Sequence, residues 1–196
     1  YIRNFNMTAS EVGVIYGLIT AFGSMVGVIG GGFIGDKLRE RYVNGKLYLI
    51  MASALGTAIT ALGFLYSPEA NVSFTWKFFY HVSSTAWLGC AASTVTELVL
   101  PRLRAVASAF FILMLSMIGL ALGPYLTGML SDIYSIQYIS SEMSKSAAEA
   151  LGLKQALVQC LIVLIVPVLL LGMACKFLKD DEKNLFEKAR RLGEVI

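Results

Sequence analysis

Residues 30–41 read GGGFIGDKLRER, and this stretch marks the end of a long apolar run. Three consecutive glycines and Gly35 precede Asp36, and four of the five residues after Asp36 carry charge. The residues before the stretch, back to Val12, are almost wholly apolar. A helix needs about 20 apolar residues to cross a bilayer, so the stretch predicts the end of a membrane-spanning helix.

The overall composition points to the same class of protein. Of the 196 residues, 57% are hydrophobic and 15% are charged, and the mean hydropathy is +0.70. Soluble domains carry about 25% charged residues, so the composition predicts a multi-pass membrane protein. Cys90, Cys160 and Cys175 lie inside apolar runs. We interpret them as buried small residues, with neither a disulfide framework nor metal-ligand spacing.

Five apolar runs have the length of a transmembrane helix. They cover residues 12–34, 47–66, 78–100, 106–130 and 156–177. The runs lack strand alternation, so the predicted fold class is an all-α membrane bundle over residues 1–178. The chain begins at Tyr1, without a signal peptide, and is expected to be a piece of a longer protein.

Two segments between or after these runs are predicted to be helices outside the membrane. Residues 132–154 contain serine caps and helix formers, which predict a short surface helix closing at Gly152. Residues 179–196 form a tail with apolar residues at helical spacing, which predicts a cytoplasmic amphipathic helix. The spaced residues are Leu185, Ala189, Leu192 and Ile196.

The distribution of cations predicts the orientation of the bundle. The first link, the third link and the tail together hold twelve Lys and Arg residues. The opposite side holds three, namely Arg3, Lys145 and Lys154. The cation-rich side is therefore predicted to be cytoplasmic, so that the C-terminus lies inside and Glu69 and Glu142 lie outside. The expected location is a cell or inner membrane.

Small residues and charges fall at regular places on the helices. The first helix has glycines four residues apart, which favour close packing with another helix or a sliding contact. These are Gly23, Gly27, Gly31 and Gly35. Asp36 follows Gly32 by four residues, and Asp132 follows Gly128 by four residues. By itself the charged stretch after Asp36 fits a solvated positive-inside loop equally well.

Three motifs together resemble the major facilitator superfamily. Gly32-x-x-x-Asp36-Lys37 with Arg41 resembles the loop signature that recurs between helices two and three and between helices eight and nine of that superfamily. Glu97 and Arg104 resemble the Glu–six residues–Arg pairing at the inner end of its tenth helix. The block LPRLRAVASAFFILMLSMIGLALGPYLTGMLSD, residues 100–132, resembles the spinster-like branch.

This resemblance implies that the five helices correspond to helices eight to twelve, the C-terminal half of a twelve-helix transporter. The N-terminal half is the implied partner, absent from this sequence. In such a fold helices eight, ten and eleven line the central cavity. A cytoplasmic gate is then expected where charged helix ends meet, from Gly32, Asp36, Lys37, Arg41, Glu97 and Arg104.

The expected gate has specific contacts. Asp36 is expected to face the positive N-terminus of the helix that begins near Ala105. Arg41 or Arg39 is expected to reach Glu97, which can also pair with Arg104. Such a network of partly desolvated charges could bias a two-state equilibrium.

Polar residues concentrate on the third helix and are candidates for the cavity lining. They are Lys77, Tyr80, His81, Ser84 and Thr85. Each also has a plain structural interpretation: Lys77 can snorkel, His81 can be a satisfied packing residue, and Tyr80 can be an interface anchor. In the fourth helix Gly123 and Pro124 are expected to bend the helix for gating, together with Gly128 and Asp132.

The function expected from these residues is secondary transport of an organic solute that is amphipathic or lipid-like. The alternatives are a drug or organic-anion carrier of another branch and a non-transporting receptor or scaffold with this fold. The sequence shows no enzyme constellation, no phosphate-binding loop and no metal-ligand cluster, so neither catalysis nor a cofactor is expected. Nucleic acid is not an expected partner, because the cations cluster at helix ends.

Overall fold

The computed structural model describes residues 7–139 and 144–192, and the described residues form five helices and no strand. The first three are α1 (Ala9–Arg41), α2 (Gly45–Tyr66) and α3 (Ala70–Glu97). The fourth, α4, comprises a 3-10 turn at Pro101–Leu103, an α-helical Arg104–Met114, a π-helical Leu115–Leu122 and an α-helical Gly123–Ile139. The fifth, α5, comprises Lys145–Val163 and Ile165–Leu192. The predicted all-α fold class is confirmed.

Four of the five helices, α1, α2, α4 and α5, are long and apolar enough to cross a membrane. The helix α3 has the length but a more polar composition, and three of the polar residues on it are sheltered. Ser73, Lys77 and His81 on α3 are all buried. Because these side chains turn inward to other helices, the polar content of α3 does not require contact with lipid.

The first helix starts at a complete capping box. The Thr8 backbone N–H donates to Glu11 Oε2 at 3.0 Å, and the Glu11 backbone N–H donates to Thr8 Oγ1 at 3.3 Å. Two backbone donors that the helix itself leaves free are satisfied in this way. The hydrogen bonds from Thr8 hold the pKa of the Glu11 carboxyl below its ordinary value.

This cap predicts a pH-dependent first turn. A carboxyl whose pKa is lowered on folding stabilises the fold above its unfolded pKa, and the contribution is lost as pH falls through the folded pKa. Acidification from neutral pH to below about 4 should therefore lower the protection factors of the Glu11 and Val12 amides, that is, speed their exchange relative to the intrinsic amide rate at the same pH. A Thr8→Ala variant serves as the control. It should show low protection factors already at neutral pH, and wild-type protection factors that did not change with pH would contradict the assignment.

The turn between α1 and α2 requires a glycine. A Cβ on Gly45 would lie 2.3 Å from the carbonyl carbon of Leu38 and 2.4 Å from its oxygen. No side chain fits there, since both atoms belong to backbone. The tight turn at residues 42–44 therefore directs the charged end of α1 toward the first turn of α2.

The π-helical stretch in α4 precedes Pro124. Proline lacks the N–H that would reach Leu120 in an α-helix, and its ring crowds that carbonyl. The preceding turns, Leu115–Leu122, widen into π geometry. The bend expected at Gly123 and Pro124 thus takes the form of a changed helical register.

Two sequence-based boundaries near the C-terminus differ from the structure. In the described residues, the predicted surface helix within 132–154 is not a separate element. Residues up to Ile139 continue α4, and residues from Lys145 begin α5. Gly152 does not close a helix; it is a contact point with α4, since a Cβ there would lie 2.3 Å from Ser135 Oγ.

The described part of the tail, residues 179–192, is helical and is not set apart from the preceding span. Residues 179–192 continue α5 without a break, and the interruption lies further back at Leu164. Pro167 explains this position, because its missing N–H leaves the carbonyl of Val163 without an intrahelical donor. The remaining tail residues, with Ile196, lie outside the described part of the chain.

The helices pack as two connected groups. In the first, α3 lies between α1 and α2. In the second, the C-terminal part of α4 packs against the N-terminal part of α5. The two groups meet where α5 contacts α2.

The glycines of α1 form its contact face with α3. A Cβ on Gly31 would lie 2.2 Å from the Ala86 carbonyl oxygen, and a Cβ on Gly35 would lie 2.1 Å from Cys90 Sγ. A Cβ on Gly27 would lie 2.4 Å from the Val82 carbonyl oxygen, and one on Gly23 would lie 2.9 Å from His81 Cβ. Because residues later in α1 contact residues later in α3, the two helices run parallel.

The interior of the bundle contains polar side chains, and many large apolar side chains lie on its surface. Buried polar side chains include Ser53, Thr57 and Thr60 of α2, whose hydroxyls donate to carbonyls of their own helix at 2.7–2.8 Å. Large apolar side chains point outward, as Phe33 (71% exposed) and Leu120 (77% exposed) illustrate. This polarity suits a lipid environment, because hydrocarbon replaces water at the outer surface.

Candidate functional site

A charged cluster joins the ends of α1, α2 and α3, and we call it the Lys46 cluster. Lys46, in the first turn of α2, is only 7% exposed and forms an ion pair with Glu97 at the end of α3. Its Nζ also lies 3.9 Å from Asp36 Oδ1 at the end of α1. One buried ammonium therefore connects carboxylates from two other helices.

The two carboxylates are unequal partners. The Asp36 side chain is 76% exposed and that of Glu97 is 45% exposed. Water screens the more distant pair with Asp36, and exposed ion pairs are worth only about 0–1 kcal/mol. The pair with Glu97 is the stronger link, because the Lys46 ammonium has little access to other partners.

The structure does not assemble the expected gate with the expected cations. Within the described residues, neither Arg41 nor Arg104 forms an ion pair with Glu97. The Arg41 guanidinium instead lies 5.6 Å from the centre of the Tyr42 ring. Arg104 and Lys37 are exposed, and Gly32 lies where α1 crosses α3 near Gly89. Lys46 takes the place expected for Arg41 because the tight turn before Gly45 brings Lys46 beside Glu97.

A second link connects the same region to α5. Arg39 near the end of α1 forms an ion pair with Glu182, and both side chains are partly buried. The Asn44 side-chain amide donates to the Cys175 carbonyl at 2.9 Å. The turn between α1 and α2 is therefore held by α3 on one side and by α5 on the other.

An aromatic cage surrounds a second buried lysine toward the other end of the same helices; we call it the Lys77 cage. The Lys77 Nζ lies 4.1 Å from the centre of the Phe64 ring, 4.3 Å from that of Tyr80 and 5.3 Å from that of Tyr16. Lys77 is 8% exposed. Each ring face attracts the cation, and together the rings bring α1, α2 and α3 to one ammonium.

His81 lies one helical turn beyond Lys77. Its Nε2 is 3.1 Å from Thr20 Oγ1 on α1, and its ring packs edge-on against Tyr16 and Tyr80. Thr85 donates to the His81 carbonyl at 2.7 Å, and Ser84 donates to it at 3.3 Å. At Lys77 and His81, the face expected to line a cavity is therefore packed against α1 and α2.

The candidate residues of α4 make few contacts with other helices. Nothing in the described structure lies within 4 Å of a Cβ placed on Gly123 or Gly128. Asp132 is exposed, one turn before Ser135, which packs on α5. Neither Arg104–Met114 nor the π-helical Leu115–Leu122 has a buried residue. Where these two parts of α4 meet, an apolar groove is lined by Phe111, Met114, Leu115, Ile118 and Gly119.

Two charged residues of these sites were not anticipated as site residues, Lys46 and Glu182. Lys46 directly precedes an apolar run on the cation-rich side, and this position could have identified it from the sequence as a residue of the charged helix ends. Glu182 lies in an acidic run of the tail, where the sequence gives no reason to select it over its neighbours Asp180 and Asp181.

Comparisons with known proteins agree with this architecture. The chain is 28% identical over 191 residues to an MFS-type efflux pump of Mycolicibacterium smegmatis, covering 96% of this chain and 41% of that protein. It also resembles a bacterial homologue of the human lysosomal transporter Spinster in two inward-facing structures, at 22% identity. The unoccupied form gives a TM-score of 0.77 over 92% of this chain and 43% of that one. The occupied form gives 0.81 over 92% and 44%. No protein-family model matches the sequence.

The chain therefore has the fold of a half-bundle of a major facilitator superfamily transporter. It spans less than half the length of the relatives that it matches. In its fold the chain is similar to a spinster homologue, and the resemblance predicted from the sequence motifs is confirmed. The fold also supports the prediction of a multi-pass membrane protein.

Proposed function

We propose that this chain is the C-terminal half of a secondary active transporter, which moves an organic, amphipathic or lipid-like solute by alternating access. The observation that carries this proposal is the half-bundle fold, matched over 92% of the chain in a transporter homologue. A half-bundle of this kind operates by rocking against a second half around a site near the bilayer midplane. The N-terminal half is accordingly the partner.

The Lys46 cluster supports a role in gating. It joins the ends of three helices through one ammonium, and its partners are partly exposed. A network of this kind can favour one arrangement of the helix ends and be lost in another. We propose that it holds the cytoplasmic ends together when that side is closed and weakens when that side opens.

The relative from Mycolicibacterium smegmatis, named as an efflux pump, favours a second candidate within transport. In this version the solute is a small organic compound exported from the cell. Both candidates share the fold and the gate, and they differ in solute and direction.

Solute flux tests the proposal. The intact carrier containing this segment, reconstituted into liposomes, should move amphipathic organic solutes when an ion gradient is applied. This chain alone should move none, because the half-bundle leaves the cavity open to lipid. If the intact protein binds such solutes without any flux, it is a receptor and the transport proposal fails.

The orientation is tested by cysteine labelling from one side of the membrane. Glu69 and Lys188 are exposed and lie at opposite ends of the bundle on the proposed topology. A Glu69→Cys variant should react with an impermeant reagent from outside, and Lys188→Cys only after permeabilisation. Labelling of both positions from the same side would reject the topology. Glu142, also expected outside, lies beyond the described residues.

A further inference from the structure

We propose that the outward face of α5 binds an anionic phospholipid of the surrounding bilayer, and that Lys176, Lys179 and Lys183 hold its phosphate. This lipid belongs to the membrane around the bundle and is distinct from the transported solute. The proposal does not depend on transport, because it requires only that α5 crosses a membrane, for which the helix is long and apolar enough.

The three lysines continue a face of α5 that is apolar within the membrane. Residues 165–192 form one unbroken helix, so positions alternately three and four residues apart share a face. Ile165, Leu169 and Gly172 follow this spacing and are exposed, and nothing in the described structure lies within 4 Å of a Cβ placed on Gly172. The same spacing continues at three exposed cations, Lys176, Lys179 and Lys183.

Contacts with the bundle fix which side of α5 faces outward. The Asn44 side-chain amide donates to the Cys175 carbonyl at 2.9 Å, and Arg39 is paired with Glu182. Leu178, between these two contacts, is buried. The turns that carry the lysines are therefore held against the rest of the bundle by another side, and the lysines are left facing outward.

The three lysines also lie at the depth of the lipid headgroups. The apolar run of α5 ends at Phe177, and Cys175 is bonded to the turn between α1 and α2. Lys176 and Lys183 are separated by about 10 Å along the helix axis, close to the thickness of one headgroup layer of about 5–8 Å. Lysine side chains are long enough to reach across the remaining distance to the phosphates.

The charges of the lysines are available to a ligand. In the described part of the chain, none of the three forms an ion pair, although Asp180 lies among them in the sequence. Ammonium groups donate hydrogen bonds to phosphate oxygens. Near an anionic membrane surface each such cation raises the affinity by about fivefold.

The apolar half of the face favours a lipid over an acidic protein segment as the occupant. One phospholipid can place an acyl chain against Ile165 and Leu169 and its phosphate beside Lys176. An acidic segment of a soluble protein would meet the lysines but could not enter the hydrocarbon beside the apolar residues. Charge and hydrophobicity along one helix face therefore match the two ends of the same molecule.

The experiment measures which lipid contacts this face. A Leu169→Trp variant of the full chain places a fluorophore on its apolar part, and brominated acyl chains quench tryptophan on contact. The signal of Trp76 and Trp87 is subtracted by using the chain without the added tryptophan. In liposomes, brominated phosphatidylglycerol should compete for this position at least about fivefold better than brominated phosphatidylcholine.

Lysine variants test the proposed phosphate contacts. Lys176→Gln combined with Lys179→Gln should bring the preference for phosphatidylglycerol close to one, because the two cations nearest the apolar residues are removed. Lys188→Gln is the matched control, since Lys188 is an exposed lysine on the far side of the same helix. It should leave the preference unchanged.

Equal quenching by the two lipids in the chain with all its lysines would overturn the proposal. A loss of preference in Lys188→Gln as large as that in the double variant would also overturn it, since the attraction would then not belong to this face. The preference must persist in the intact carrier, and its loss there would show that the rest of the carrier covers the face. A lipid preference without solute flux would refute the proposed function alone, and solute flux without a lipid preference would refute this site alone.

Discussion

Replacing Gly31 by alanine should destabilise the bundle, although the change adds one methyl group. The added Cβ would lie 2.2 Å from the Ala86 carbonyl oxygen and 2.6 Å from its Cα, and these backbone atoms cannot move aside alone. The helices α1 and α3 must separate to admit it. Overpacking of this kind costs about 1–3 kcal/mol, and separated helices also lose the contacts along the remaining glycines.

The neighbouring residue provides the control. A Cβ on Gly30 would meet nothing within 4 Å. Both substitutions bring the same gain of about 1 kcal/mol in helix propensity, so their difference isolates the helix contact. Unfolding by denaturing detergent in mixed micelles should show Gly31→Ala less stable than Gly30→Ala by about 1–3 kcal/mol. Equal stabilities would contradict the close packing of α1 on α3.

The second large effect concerns the Lys46 cluster. Glu97→Gln leaves the Lys46 ammonium nearly buried, and among the described residues the distant, exposed Asp36 is its remaining ion-pair partner. Removing one partner of a fully buried pair costs about 3–5 kcal/mol. Because the Glu97 side chain is 45% exposed, solvent screening reduces our expectation to about 1–3 kcal/mol.

A double-mutant cycle identifies the partner. Adding Lys46→Met to Glu97→Gln should recover at least about 1 kcal/mol of the lost unfolding free energy, because no unpaired ammonium then remains buried. Arg104→Gln, which removes the cation expected from the motif, should change stability by less than about 0.5 kcal/mol. Coupling between Glu97 and Arg104, with none to Lys46, would contradict the observed cluster.

In the intact carrier the same changes should alter gating. Weaker attraction at the proposed cytoplasmic end should favour the state that is open there. A change of about 1–3 kcal/mol corresponds to a shift of about 5–150-fold in the equilibrium. Solute turnover should therefore fall more than solute binding, as measured by flux and by equilibrium binding on the same preparation.

The sequence predicts the parts of this molecule that depend on local composition. Apolar length predicts the helices, and glycines four residues apart predict a smooth face on α1. The cation-rich side predicts that Asp36 and Glu97 belong to a charged region. These features follow from periodicity and hydrophobicity, which neighbouring residues determine.

Contacts that depend on three-dimensional packing could not be predicted in this way. The partner of Glu97 is Lys46 because a tight turn at Gly45 directs α2 back along α1. Gly152 looks like a helix end in the sequence and is instead a packing contact with Ser135. The pairing of Arg39 with Glu182 joins residues 143 positions apart. Each depends on where another helix lies, which no local pattern specifies.

The most direct test of the central claim is flux through a carrier reassembled from two chains. This chain and the remainder of the carrier, produced separately and purified as a complex, would be reconstituted into liposomes. We predict solute flux from the complex and none from either part. Flux from this chain alone, or a co-purified complex that fails to transport a solute carried by the intact protein, would contradict the assignment of the chain as half of an alternating-access transporter.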